Sequence, residues 1–539
     1  MVVTGSREAT HAAVRILEQG GNAIDATVAA ALALGVSDMD ASGLGGMTYM
    51  LIRFADGRAT AIDGTPRAPL VVDRAALIAL EKAGSVTGYP FAAVPTQLAT
   101  LQTALSRYGT MEMTELLQPA IEIAENGYRL SPIQIVWTKI YYKNVTANDY
   151  FRHLVMRDGE TLDPPGTLYF RPDLATTLRR LATEGVDSFY MGSIANDIEA
   201  DMMASGGYIR KLDLAMTKVR EVEPIRSTYR NTEILTFPHP GGGEAVVRTL
   251  DILETYPSSF LAEHSVGRMQ AIIEAARLGG AGSLGVDRAT EDSVEMPVPT
   301  RKELAQRRAR LITPGRAIPD EVFAFGRAPE CQRDAGDSTT QVSVADRHGN
   351  VVSMTQTIGN SFGGGVATPG LGFPYNNLLQ NFNFEKPHCP GFFLPRNAVV
   401  TDMAPTILVR NGVVVAALGA PGSNRIPPLI ANVVTNLVDS RMSLREAMVA
   451  PRTLYADRQN PKAMVEIRDP ITAADADEIQ AMGFDNMERL AYPPTTRRIV
   501  VFGGINAIAF DPQDQTWVGV GDAHRWGFAL GPQAPEESD

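Results

Sequence analysis

The sequence predicts an α+β fold in which sheets pack face to face with helices on the outside. Three observations predict it. Apolar residues recur at helical spacing through residues 6–37 and much of 72–235. After Ser338 the pattern changes to short alternating segments broken by turns. No internal repeat emerges, and the two parts, 1–338 and 339–539, read as halves of one core rather than as separate domains.

The elements follow in chain order. Ala9, Ala13, Ile16 and Leu17 mark one helix, which Gly20-Gly21-Asn22 stops. Ala23 to Leu34 resumes with almost no polar face, as a buried helix does. Ser42-Gly43-Leu44-Gly45-Gly46 is a turn into a strand over Thr48–Phe54, and Asp56-Gly57 turns it back into a second over Ala59–Asp63. Those glycines resemble a phosphate loop only superficially, because no Lys-Ser/Thr follows; close backbone packing is the other reading. Helices are expected at 97–108, 113–126 and 173–185, with breaks at Pro90, Pro95, Pro132 and Pro164-Pro165-Gly166. Ile234–Phe237 is a strand running into Pro238-His239-Pro240-Gly241-Gly242-Gly243, where the backbone turns sharply or passes something closely. Helices return at 244–255 and 266–278, whereas residues 286–337, polar and proline-interrupted, read as irregular, exposed and mobile. Thr340–Asp346 and Val351–Thr357 alternate on either side of His348-Gly349-Asn350 and form a hairpin. Further strands are expected at 405–410, 413–418, 464–467, 499–502, 505–510 and 516–520, with a helix at 424–439.

Composition narrows the chemistry. The chain has 44% apolar and 20% charged residues, the balance of an ordinary globular protein. Its 49 basic and 61 acidic residues give a formal charge of −12, which argues against nucleic-acid and anionic-membrane partners. The longest apolar run, Ala26 to Val36, is too short to span a bilayer, and no secretory signal is visible at the start. With Met1 as the true start the chain is expected in the cytoplasm; a trimmed leader would make it periplasmic or secreted. Cys331 and Cys389 cannot build a disulfide framework, and neither CxxC nor HExxH spacing occurs. Neither a metal nor a cofactor is expected. His388 and Cys389, adjacent in a Pro/Gly-rich stretch, read as loop residues or as a ligand pair.

The chemistry-bearing segment is Gly336-Asp337-Ser338-Thr339-Thr340-Gln341-Val342. A hydroxyl residue stands where a loose polar stretch meets the first strand of the hairpin. Were the Ser338–Thr339 bond cut, Thr339 would carry both a hydroxyl and a free α-amine. Such an amine, with a pKa of about 8, can serve as the base for its own hydroxyl. From the pattern alone, a plain strand start is the other reading of Ser-Thr-Thr.

A longer set of motifs bears on the choice. It begins with Gly20-Gly21-Asn22-Ala23-Ile24-Asp25-Ala26, Gly43-Leu44-Gly45-Gly46, and Ala61-Ile62-Asp63 ahead of Arg67-Ala68-Pro69. Thr339-Thr340, Asp346, Gly349-Asn350, Phe362-Gly363 and Asn376-Asn377 follow. Met403-Ala404-Pro405-Thr406, Pro421-Gly422, Arg425 and Gly521-Asp522 complete it. In order and spacing this set resembles the γ-glutamyltransferase family, members of the N-terminal-nucleophile hydrolases, over nearly the whole chain. The resemblance implies a four-layer αββα sandwich. It implies cleavage between Ser338 and Thr339, with Thr339 as nucleophile and Thr357 as its supporting threonine. Gly422 and Ser423 match the paired backbone N–H groups that hold the oxyanion, Gly-Ser replacing the family's two glycines. The cut chains would be a large subunit, 1–338, and a small one, 339–539, associated as a heterodimer, with a dimer of heterodimers left open.

The substrate-binding positions depart from the family pattern. Thr65 stands where the transferases hold an α-carboxylate with arginine, and Arg67 is the nearest candidate. Asn381 replaces the acid that pairs with the α-ammonium, and Leu378 occupies a usually polar position. Thr401-Asp402 match the serine pair that grips the carboxylate, Asp402 offering a negative charge from another side; Gly359 matches an asparagine beside the nucleophile. The lid region, Glu385 to Arg396, reads as short. An uncharged Asn381 cannot pair with an ammonium, and burying an ammonium without a partner is costly. Arg67, within Asp63-Gly64-Thr65-Pro66-Arg67-Ala68-Pro69, resembles the amidohydrolase and acylase branches; it would bind a substrate carboxylate or form a structural salt bridge. The expected activity is that of an autoprocessed threonine amidohydrolase. It would open the amide bond of a small carboxylated substrate through an acyl-enzyme, with water or an amine as acceptor. True γ-glutamyl transfer, carbon–carbon cleavage in a natural-product pathway and an uncut binding scaffold are the alternatives.

Overall fold

The computed structural model describes residues 1–281, 300–323, 336, 338–389, 391–456, 462–491 and 502–532. Strand β1 (Val2–Thr4) leads into helices α1 (Arg7–Glu18) and α2 (Ala23–Ser37). Every residue of α2 is buried, as its nearly apolar sequence demands. Its start is fixed from three directions. Asn22 Oδ1 accepts the Ile24 and Asp25 N–H groups, and Asp25 accepts the Asn22 N–H in return. The same carboxylate takes the Thr110 N–H at 2.9 Å and the Thr110 hydroxyl at 2.6 Å, pinning the turn between α3 (Gln97–Tyr108) and α4 (Met113–Asn126). Asp346 takes the Ala23 N–H at 3.0 Å, tying the later hairpin to this helix end.

Two antiparallel sheets form the centre. The first runs in the order β13 (Phe528–Leu530), β1, β7 (Ser338–Ala345), β8 (Val351–Gly359), β2 (Met47–Arg53), β3 (Ala59–Asp63), β4 (Arg220–Val222). The second runs β12 (Thr516–Gly521), β11 (Asn506–Asp511), β10 (Val413–Gly419), β9 (Thr406–Arg410), β6 (Thr232–Thr236), β5 (Ile225–Tyr229). Both sheets take strands from before and after Ser338. Helices α1 to α4 cover the outer face of the first, where Met50, Ile52, Val344 and Val352 pack among Leu32, Leu101 and Leu117. Helices α5 (Gly243–Leu253), α6 (Val266–Gly280) and α8 (Ile426–Val438) cover the second. The layers are thus helix, sheet, sheet, helix: the αββα sandwich that the resemblance implied. No helix among the described residues is long and apolar enough to cross a membrane.

Between the sheets, the inward faces of β7 and β8 carry amide and hydroxyl groups. Gln341 Nε2 donates to Ser353 Oγ at 3.0 Å, and its Oε1 accepts from Thr355 at 2.6 Å. Ser343 and Ser353 donate across the gap to the carbonyls of Asn506 and Leu418, at 3.0 and 2.9 Å. These groups are fully buried, so each one left without its bond would cost about 1–3 kcal/mol. Gly419 is fixed by the same seam, because a Cβ there would sit 2.2 Å from Gln341 Oε1.

Residues 286–337 are not irregular throughout. Helix α7 (Arg301–Ala309) lies within them with Ala305 and Arg308 buried, started by a capping box of Thr300 and Glu303. The charge and proline around that Thr-x-x-Glu signature hide it in the sequence. Residues 286–299, 324–335 and 337 lie outside the described residues, as does most of the strand expected at 499–502. The expected strand at 464–467 belongs to a small separate sheet of Thr453–Ala456, Lys462–Ile467 and Met487–Ala491.

Gly419→Ala should displace Gln341 and destabilise the fold by about 1–3 kcal/mol. The urea midpoint should fall with the slope unchanged. An unchanged midpoint would show that the seam tolerates the extra methyl group.

Candidate active site

Strand β7 begins at Ser338, so Thr339 stands at the start of a strand with its side chain on the face between the sheets. Thr357, near the end of the neighbouring strand β8, comes alongside it. Thr339 Oγ1 lies 3.2 Å from Thr357 Oγ1 and 2.7 Å from the Ser338 carbonyl oxygen. Thr357 Oγ1 donates to that same carbonyl at 2.5 Å and accepts the Gly359 N–H at 3.0 Å. The pairing register shifts between Gln356 and Gly359, and this irregularity separates Thr357 from a plain cross-strand position. Gly359 has φ +96°, and a Cβ there would meet Asn377 Oδ1 at 2.2 Å. The expected hairpin neighbour of Thr339 is therefore where the alternation put it. Thr340 points the other way, pairing with Gln356 and lying against Gly5.

Strand β10 of the facing sheet ends at Gly419 and leads into Ala420-Pro421-Gly422-Ser423. Gly422 has φ +138° and Ser423 φ +57°. The second value is left-handed for a residue with a side chain, a strain of roughly 1–3 kcal/mol that the surroundings must hold in place. Three features do so. Helix α8 starts three residues later, with its positive end behind the turn. Gly504 N–H donates to the Pro421 carbonyl at 3.2 Å. Asp522 in turn holds this neighbouring segment through the Ile505 N–H at 2.7 Å, and it also bonds Arg452 and the backbone and ring of His524. Burial works against the Asp522 charge, yet Arg452 and His524 keep its carboxyl well below the usual range.

Of the expected substrate residues, Thr65 and Arg67 follow the end of β3, where Arg67 pairs with Ala398 shortly before Thr401 and Asp402. Thr65 accepts from the Tyr49 hydroxyl at 2.8 Å and donates to Asp63, whose carboxylate is paired with Arg220. The Thr65 N–H also goes to Asp63, at 2.9 Å. The chain of hydroxyls thus runs inward to an acid that is already neutralised, and Tyr49 is stacked on Phe237 at 3.9 Å. Arg67 is half-buried. Its Nη1 donates to the Arg396 carbonyl at 2.9 Å, and no carboxylate among the described residues forms an ion pair with it. Burial first, then Arg220 and Arg396, pull its pKa down. Asn381 Nδ2 donates to the Val400 carbonyl at 2.9 Å, while its buried Oδ1 has no hydrogen-bond partner among the described residues. Leu378 joins the apolar core. Thr401 is held through its N–H to Pro240, and the Asp402 carbonyl passes so close to Gly242 that a Cβ there would meet it at 2.3 Å. That approach explains the glycine run after Pro240.

Four further residues near Thr339 do not stand out in the sequence. Asp38, Asp40, Asn506 and Arg525 line a cavity of about 20 Å³ together with Thr339, Thr340 and Pro421. Their one sequence signal is two acids directly after a nearly apolar helix, in Ser37-Asp38-Met39-Asp40.

Comparison with known proteins agrees over almost the whole length. The family model described as gamma-glutamyltranspeptidase matches residues 9–531. The chain is 35% identical over 535 residues to the acylase ACY 1 proenzyme of Pseudomonas sp. (strain V22), covering 95% of this chain and 90% of that protein. It is 32% identical over 476 residues to the glutathione hydrolase proenzyme of Escherichia coli (strain K12), covering 84% and 80%. The solved crystal structure of cephalosporin acylase from Bacillus halodurans matches with a TM-score of 0.82 at 25% identity, covering 99% of this chain and 96% of that one. With motifs, layers and full-length similarity in agreement, the chain is an enzyme of the gamma-glutamyltranspeptidase family.

Proposed function

We propose that this chain is a precursor that cuts itself between Ser338 and Thr339 and then uses Thr339 to open the amide bond of a small carboxylated substrate. One observation carries the reading: the Ser338 carbonyl receives the hydroxyls of both Thr339 and Thr357. The proenzyme names of the acylase and glutathione hydrolase relatives support it.

In the first reaction, Thr339 Oγ1 attacks the Ser338 carbonyl carbon. Thr357, oriented by the Gly359 N–H, donates to the oxygen that becomes negative. The C–N bond breaks, the nitrogen takes the proton given up by the hydroxyl, and water opens the resulting ester. A carboxylate at Ser338 and an α-amine at Thr339 remain, and the two chains, 1–338 and 339–539, stay together because both sheets are built from both. Gly336 packs so tightly on Gly359 that a Cβ would lie 2.0 Å from the Gly359 carbonyl carbon. After the cut, the new carboxyl end at Ser338 is expected to move away from Thr339 and open the pocket.

In the second reaction, the α-amine accepts the Thr339 hydroxyl proton as the oxygen attacks the substrate carbonyl. The backbone N–H groups of Gly422 and Ser423 hold the oxyanion, a contribution of roughly 10²–10³ per donor. The leaving amine takes the proton, and water or an amine acceptor opens the acyl ester. No cofactor enters either reaction.

The substrate class follows from charge. At the position of the transferases' arginine lies Thr65, already engaged by Tyr49 and Asp63, and at the position of their acid lies neutral Asn381. Neither offers a charge to an amino-acid head group. Arg67, flanked by Arg220 and Arg396, offers a positive charge to a carboxylate elsewhere on the acyl chain.

Thr357→Val should slow self-cleavage by roughly 10²–10³, read as the disappearance of uncut chain on a gel over time. An unchanged rate would remove Thr357 from the reaction. Glutaryl-p-nitroanilide should be turned over in preference to γ-glutamyl-p-nitroanilide by roughly 10–10² in kcat/KM, because the two differ by one ammonium whose missing partner costs about 1.5–3 kcal/mol. Arg67→Ala should raise KM for the glutaryl compound about tenfold or more while leaving self-cleavage intact. Efficient γ-glutamyl turnover insensitive to Arg67→Ala would instead identify a γ-glutamyl transferase.

A further inference from the structure

The cavity beside Thr339 holds ionisable groups that neither reaction uses. Asp38 ends α2, Asp40 follows in the loop before β2, and Arg525 comes from the turn between β12 and β13. All three side chains are buried, and they are the titratable groups lining the cavity among the described residues. The Arg525 guanidinium is fixed 4.8 Å from the Trp137 ring centre. Asp38 is hydrogen-bonded to Thr340, and both crowd onto Gly5: a Cβ there would lie 2.3 Å from Thr340 Oγ1 and 2.9 Å from Asp38 Oδ2. On the other side of the scissile peptide, Ser338 Oγ donates to the Asp40 carbonyl at 2.9 Å. The Asp38 carboxyl and the Asp40 backbone are thus tied to the residues on either side of Thr339.

Two carboxyl groups and one guanidinium share a space removed from bulk water. Two carboxylates cannot both ionise readily there, although Arg525 in the cavity and Arg171, bonded to the Met39 sulfur between them, oppose that penalty. Burial first, and Asp40 second, push the Asp38 carboxyl well above the usual range, against the opposing pull of Thr340 and Arg525. Burial of the pair thus opposes two full negative charges while the chain is whole. Cleavage changes the count, because a neutral peptide nitrogen becomes an amine able to carry a positive charge.

We propose that Asp38 and Asp40 are the built-in counter-charge for the ammonium form of the Thr339 α-amine. They are positioning residues that set the pH at which this amine becomes a free base. After cleavage the new ammonium would share the cavity with both carboxyl groups and the Arg525 guanidinium. The cavity has room for the single water that would bridge them. The proposal rests on Thr339 being the residue that cleavage exposes.

The test is the pH dependence of carbamylation of the Thr339 α-amine by cyanate, which reacts only with the unprotonated amine. The product is followed by the mass of the amino-terminal peptide of the small subunit. Asp38→Asn and Asp40→Asn each remove one carboxylate from beside the amine, so the midpoint should fall by about one pH unit or more in either variant. Asp38→Glu, which keeps the charge, should remain near the wild type. Coincident midpoints in all four proteins, with the peptide beginning at Thr339, overturn this proposal alone. A peptide beginning elsewhere overturns the assignment of the nucleophile, and the proposal with it. Should one Asn variant stay uncut, the other carries the test. If both fold but stay uncut while Asp38→Glu is processed, the acids act before the amine exists, and the proposal is overturned.

Discussion

One carbonyl oxygen organises this molecule. The Ser338 oxygen lies 2.5 Å from Thr357 Oγ1 and 2.7 Å from Thr339 Oγ1, so two hydroxyls from different strands must be held on a single atom. That demand fixes the start of β7, the irregular pairing at the end of β8 and the conformation of Gly359. It also fixes Gly46 in the strand-entry turn, where a Cβ would lie 2.4 Å from the Thr357 carbonyl oxygen. The glycine cluster that superficially suggests a phosphate loop therefore serves as close packing behind Thr357.

Holding hydroxyls and acids in this position is unfavourable in isolation. Gln341, Ser343, Ser353 and Thr355 replace hydrocarbon between the sheets, and two carboxyl groups lie within the buried shell around Thr339. The offsetting stabilisation lies on the outer faces, where the helical layers bury long runs of aliphatic side chains against both sheets. The sandwich keeps its polar groups between the sheets and much of its apolar packing outside them. In that interior every backbone and hydroxyl bond counts for more than it would in water.

Much of this is legible in the sequence, and the reasons differ by element. The hairpin is visible because its alternation is clean and its turn has a Gly-Asn pair; it puts Thr357 on the strand beside Thr339, and the resemblance singles Thr357 out. Helix α2 is visible because it lacks a polar face. The strands β1, β4, β5 and β13 are not, since three to five residues carry too little alternation to stand out. Helix α7 is concealed because its evidence is a capping pair rather than apolar periodicity. The substrate group follows position by position from the resemblance, yet the inward direction of the Tyr49–Thr65–Asp63 chain emerges only when the side chains are placed. Asp38, Asp40 and Arg525 come from two distant parts of the chain and converge only through the packing of α2, β7 and the turn before β13. Such convergence leaves no mark in local pattern.

The central claim is that the bond in front of Thr339 is the one cut and that the cut makes the enzyme. Intact-mass analysis of active protein, with amino-terminal sequencing of the smaller chain, tests it most directly. The account predicts two chains spanning residues 1–338 and 339–539, the second beginning Thr-Thr-Gln-Val-Ser, and a single inactive chain from Thr339→Ala. A fully active single chain, or a small subunit with another first residue, would contradict it.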